Sequence, residues 1–155
     1  SILDWNPALV LDNPVMDATH VEFVALLNAV GTAPPDPLYE ALAAFVEHTA
    51  QHFAEEERWM RESGFPPLGC HQNQHRMVLD VAREVLVRVA KGETQLGEPL
   101  ATAIAEWFNE HVAVMDTVLK QYMEMQGYQP SIGGGNLNSA CPPAATATYW
   151  RPPTR

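Results

Sequence analysis

The stretch that most constrains this chain is His48 to Met60, H-T-A-Q-H-F-A-E-E-E-R-W-M. It holds neither Gly nor Pro and is rich in Ala and Glu, which predicts a helix. Its inward stripe runs Leu42, Phe45, Thr49, His52, Glu56 and Trp59, stepping by three or four. Two members of that stripe, His52 and Glu56, are an imidazole and a carboxylate one turn apart. An ionised carboxylate buried without a partner costs several kcal/mol, so Glu56 requires a compensating charge. The chain has only 9 Lys and Arg against 19 Asp and Glu, but 6 His. A metal ion is the natural partner.

At 155 residues the chain fits one domain with a sizeable core. A net charge of −10 argues against nucleic acid and anionic membrane surfaces as partners. No apolar run approaches the roughly 18 residues of a membrane-spanning helix. The opening S-I-L-D-W-N-P lacks a basic segment followed by an apolar core, so no signal peptide is expected. Two cysteines, Cys70 and Cys141, are too few for a disulfide scaffold, and a cytoplasmic location is the expectation.

In chain order, residues 1–14 form an irregular arm. A first helix is predicted over about residues 15–30, with His20, Val24 and Leu27 inward, closed by Gly31 and the prolines 34, 35 and 37. A second spans about 37–63 and ends at Gly64, before Pro66 and Pro67. A third covers about 68–90, with His71, His75, Val78, Ala82, Val85 and Val89 on one stripe. The fourth, about 98–126, has two adjoining stripes. One is Leu100, Ile104, Trp107, His111, Val114 and Val118; the other is Phe108, Val112, Asp116, Leu119 and Met123. Four amphipathic helices with short connections predict an all-α, antiparallel four-helix bundle over residues 1–128. Residues 129–155 form a Gly/Pro-rich, irregular tail, expected to dock on the bundle, on a second copy or on a partner protein. Its Gly133–Gly135 run follows no strand, opens no helix and lacks a Lys, so it is not a phosphate loop.

Every predicted helix turns histidine toward the core: His20, His52, His71 with His75, and His111. Glu56 and Asp116 join them. His52 and Glu56 share one helix face, as do His71 and His75. His111 and Asp116 are five apart, about 140° around an α-helix, which sets them poorly for one ion but allows Asp116 to lie between two. Seven donors exceed the four of a structural zinc site. They suit two ions that share carboxylate bridges and keep one position open, and imidazole with carboxylate suits iron.

These motifs together resemble the hemerythrin family. The matching pieces are M-D-A-T-H ending at His20, H-F-A-E-E from His52 with Met60 beyond, H-Q-N-Q-H from His71 to His75, and H-V-A-V-M-D from His111 to Asp116, with Trp5 in the arm. The resemblance covers residues 1–128 and leaves the tail aside. It implies two non-heme irons joined by an oxo or hydroxo group, one held by His71, His75 and His111, the other by His20 and His52, with Glu56 and Asp116 bridging. It further implies that dioxygen binds as hydroperoxide at the open position of the second iron, in an apolar pocket made by Trp107, Phe108 and Val112.

The remaining candidates have simpler readings. A lone histidine on an apolar stripe is usually a hydrogen-bonded core residue, but five at matched depths are not. The H-x-x-x-H spacing suggests zinc proteases, which need Glu directly after the first His, and Gln72 stands there. His48 is expected to be a partly exposed helix residue, and Glu55 and Glu57 to face solvent. Cys70 is expected to be a small buried hydrophobe, with a Cys70–Cys141 bridge the less favoured alternative. Met60, Met77, Met115, Met123 and Met125 are expected to fill the core. Five neutral imidazoles against two carboxylates favour a return to the reduced state, hence reversible dioxygen binding for storage, delivery or sensing. A diiron enzyme handling oxidation, peroxide or nitric oxide is the alternative, and a non-redox metal-binding module the third.

Overall fold

The computed structural model describes residues 1–132 and 150–154. Helices α1 (Pro14–Thr32), α2 (Pro35–Ser63) and α3 (Leu68–Ala90) are followed by a fourth rod of three parts. These are α4 (Gly97–His111), a π-helical turn (Val112–Asp116) and α5 (Thr117–Met125). No strand occurs among the described residues. Helix α1 packs on α2 and α4, α2 on α3, and α3 on α4, which closes the four-helix bundle. None of its helices is long and apolar enough to cross a membrane.

Local signals set the helix ends. Asn13 caps α1 by accepting a hydrogen bond from the Met16 N–H at 3.2 Å, and Pro14 fills the first turn, where its missing N–H costs nothing. At the far end of α2, Gly64 takes φ +76°, and the Phe65 N–H returns to the Met60 carbonyl at 2.8 Å. A left-handed C-terminal residue of this kind favours glycine. Phe23, Leu27, Phe45, Trp59, Leu100, Phe108 and Leu119 are fully buried along the axis. Each contributes about 1.5–3 kcal/mol by leaving water.

The arm is tied to α1 by Asn28. Its Oδ1 accepts from the Ile2 and Leu3 N–H groups at 2.7 and 2.9 Å, and its Nδ2 donates to the Leu3 carbonyl at 2.7 Å. At the other end of the chain, the Ser131 carbonyl accepts from the Trp59 indole at 2.8 Å and from the Arg58 guanidinium. Trp150 packs on the core from outside. The Gly133–Gly135 run and Cys141, and with it the less favoured Cys70–Cys141 bridge, lie outside the described residues.

Three expectations are corrected. Val114 and Val118 are not inward but 53% and 48% exposed, because the π-helical turn adds a residue and rotates the register. The buried face instead runs Phe108, His111, Val112, Asp116, Leu119 and Met123. Cys70 is exposed rather than buried. Among the methionines Met60 and Met123 fill the core, whereas Met125 is solvent-facing at 80%.

Candidate metal centre

Halfway along the bundle the apolar core is interrupted by seven buried polar side chains, from every rod: His20 on α1, His52 and Glu56 on α2, His71 and His75 on α3, His111 at the end of α4, and Asp116 closing the π turn. None is more than 4% exposed. The α-helical pairs meet because residues one turn apart share a face. His111 and Asp116 meet for another reason. Five residues make about one turn of π-helix, so their contact is 3.0 Å, where an α-helix would set them about 140° apart.

Two overlapping groups of donors result. One comprises Glu56, His71, His75, His111 and Asp116, the other His20, His52 and Glu56, and within each the donor atoms lie within 4.8 Å of one another. The carboxylates stand between the groups. Glu56 turns Oε2 toward His52 (2.5 Å) and His20 (3.8 Å), and Oε1 toward His71 (3.4 Å) and His75 (3.7 Å). Asp116 turns Oδ1 toward His71 and His111, both at 3.0 Å, and Oδ2 toward His20 at 3.3 Å. In all these contacts the imidazole atom is Nε2, so the five rings point the same nitrogen inward.

The electrostatics follow from burial and these contacts. Burial would lower the His20 and His71 pKa values, but the facing Asp116 and Glu56 outweigh it and raise both to about 9. His75 is held well below the usual imidazole range by burial and the nearby His71 charge, and burial likewise lowers His111. Burial works against ionising Glu56 and Asp116, yet the surrounding histidines hold both well below the usual carboxylate range. Without a metal, the protonated forms of His20 and His71 are therefore favoured against the two carboxylates.

The family model described as the hemerythrin HHE cation binding domain matches residues 12–123. A bacteriohemerythrin of Ralstonia nicotianae is 44% identical over 126 residues, spanning 81% of this chain and 92% of its own. The chain belongs to the hemerythrin family. A bacteriohemerythrin of Campylobacter jejuni is 26% identical over 131 residues, 79% of this chain and 96% of its own. The solved structure titled "Crystal structure of hemerythrin:wild-type" superposes with a TM-score of 0.72 over 79% of this chain and 98% of its own; at 17% identity it shows the fold.

The donor set of this chain fits a metal. His20 Nε2, His75 Nε2, Glu56 Oε1 and both Asp116 oxygens are buried without a hydrogen-bond partner, although ring nitrogens and carboxylate oxygens crowd within 4 Å. Buried polar atoms that approach without bonding one another are arranged around a third body. Five imidazoles and two carboxylates suit an iron-type cation.

The two halves have different surroundings. Beside the three-histidine half, Phe53 stacks on His75 at 3.8 Å and Trp107 on His111 at 4.4 Å. The two-histidine half meets the edge of Phe108, 5.1 Å from His20, and of Phe23, 6.0 Å from His52. Val112 is fully buried beside His111, and Trp107 is half-buried. His52 also reaches the floor of a groove of about 660 Å³ between α1 and α2, which His48 and Ile132 help to line. His48 is half-buried and paired with Glu22 at 3.6 Å. Glu55 and Glu57, expected in solvent, are half-buried, and Glu55 pairs with Arg58 at 2.8 Å. Sequence reasoning missed Phe23, Phe53 and Gln74, whose Oε1 meets His111 Nδ1 at 2.8 Å. Phe53 and Gln74 each adjoin a candidate ligand in the sequence, the one signal available for them.

Proposed function

We propose that this protein holds two iron ions and binds dioxygen reversibly, in storage, delivery or sensing. The observation that carries the reading is the straddling of both carboxylates, each with one oxygen toward His20 or His52 and the other toward the three-histidine half. That arrangement serves two cations side by side. His71, His75 and His111 would hold one and His20 and His52 the other, with Glu56 and Asp116 shared. The unequal count of imidazoles leaves the two-histidine half short by one donor, the open position that a small ligand needs.

When bound, the iron pair supplies reversible two-electron chemistry toward dioxygen. The chain's own residues set the conditions. Five neutral imidazoles against two anionic donors moderate the negative charge on the pair and so favour return to the reduced state. Phe23, Phe108 and Val112 exclude water without offering a proton to a reduced ligand, while Trp107 braces His111 from outside.

The test is to reduce the purified protein anaerobically, admit dioxygen and remove it through several cycles, recording the visible spectrum with an iron count. Two irons per chain and a band that appears and vanishes reversibly are expected. Irreversible bleaching with substrate turnover would move the reading to an oxidase, and an iron count near zero would end it.

A further inference from the structure

Of the five inward-facing imidazoles, one has its outer nitrogen satisfied. His111 Nδ1 lies 2.8 Å from Gln74 Oε1, whereas the Nδ1 atoms of His20, His52, His71 and His75 are buried with no hydrogen-bond partner. Gln74 belongs to α3, the helix that presents His71 and His75, so the contact ties the fourth rod to that helix. His111 also sits where the α-helical ladder gives way to the π turn. Its ring direction is therefore less constrained by helix register than that of the other four. Trp107, stacked on the ring at 4.4 Å and 22°, limits its tilt but carries no information about which nitrogen is protonated.

We propose that Gln74 is a positioning residue that fixes the tautomer and direction of His111. The carboxamide oxygen can only accept, so it selects the His111 form protonated at Nδ1. Nε2 is then left with its lone pair directed inward. Inside the centre, His111 Nε2 and His71 Nε2 are 3.1 Å apart, so only one of them carries a proton there; Asp116 Oδ1 lies 3.0 Å from both, and a proton on His71 Nε2 meets that carboxylate while His111 keeps its lone pair. A ligating histidine needs this form, with Nε2 free and the outer N–H held. Gln74 thereby prepares the three-histidine half before any ion arrives. The metal-binding part of this inference rests on the iron reading above; the tautomer assignment does not.

The test uses the full chain with labelled histidine nitrogens, as wild type, Gln74→Leu and Gln74→Glu. In the metal-free wild type, nitrogen NMR should find His111 protonated at Nδ1. Gln74→Leu should give a mixture of tautomers, and Gln74→Glu, which keeps an acceptor, should restore the single form. Anaerobic titration with Co(II) should then show one of two sites weakened about 10–100-fold in Gln74→Leu and recovered in Gln74→Glu. An Nε2-protonated His111 in the wild type overturns the proposal. So does a Gln74→Leu protein with unchanged tautomer and affinity, or a Gln74→Glu protein as impaired as Gln74→Leu, which would mark a packing role alone. A wild type that takes up no metal would sink the iron reading, and the tautomer assignment would still be decided by the NMR spectra.

Discussion

His111 Nε2 and Asp116 Oδ1 face each other at 3.0 Å across five residues of chain, because the backbone between them is π-helical. The π turn behaves as one residue inserted into an otherwise α-helical rod. The Thr117 N–H reaches back to the Val112 carbonyl, and the Thr117 hydroxyl donates to the same oxygen at 2.8 Å.

Deleting Ala113, which is exposed, should therefore be tolerated. Elsewhere in a bundle helix, loss of one residue turns everything beyond it by about 100° and exposes the core face. Here it should convert the turn to α-helix, leave His111 and the aspartate one turn apart, and keep Leu119 and Met123 inward. Circular dichroism and a metal count on the deletion protein check this. An unfolded protein, or one that no longer takes up metal, contradicts it.

Because Glu56 reaches both halves, Glu56→Gln should weaken both metal positions, by about tenfold or more each, more than the lower bound for an outer-sphere change. His75→Ala, which touches one half, should leave about one ion per chain. Equilibrium dialysis with a metal count separates the two patterns. Equal losses from both variants would argue against shared carboxylates.

Metal uptake should release protons. Below about pH 9 His20 and His71 are protonated in the metal-free protein, and each must lose its proton to bind an ion. Proton release should be substantial near pH 7 and fall away as pH rises through about 9, with affinity rising over the same interval. A pH indicator during metal titration reads this directly. The same shifts set a stability trend in the metal-free chain. Their folded pKa values lie above the ordinary imidazole value of 6.5, so their contribution is complete below about pH 6.5 and disappears as pH rises through about 9.

Asn28→Ala should detach the arm. Three hydrogen bonds of 2.7–2.9 Å are lost and half-buried backbone groups are left unpaired, at a cost of about 1–3 kcal/mol. Denaturant unfolding should show the loss with metal stoichiometry unchanged, since Asn28 is remote from the seven donors.

Much of this molecule was legible before the structure. Proline and glycine punctuation marked the helices to within two or three residues, and the His52–Glu56 and His71–His75 spacings placed both pairs on core faces. The fourth rod was read less well. Of its two stripes, Phe108, Val112, Asp116, Leu119 and Met123 is buried as expected, whereas the one ending in Val114 and Val118 is broken beyond His111 by the extra residue of the π turn. The signal was present: two polar residues that both had to face inward, five positions apart, cannot do so on an α-helix. The outer contacts of the rings, Gln74 on His111 and Phe53 on His75, depend on how neighbouring helices are rotated, which periodicity within one helix does not encode. Cys70, just inside α3, is exposed because its direction from the axis differs from that of His71 by about 100°.

The straddling carboxylates have a bearing on how the protein fills. On the proposed two-ion reading, a first cation would draw one oxygen of Glu56 and one of Asp116 into place and leave the remaining oxygens aimed at the neighbouring position. The second arrival finds its donors in order, so chains with a single ion should be scarce at every stage of loading, and the population should divide into empty and complete molecules.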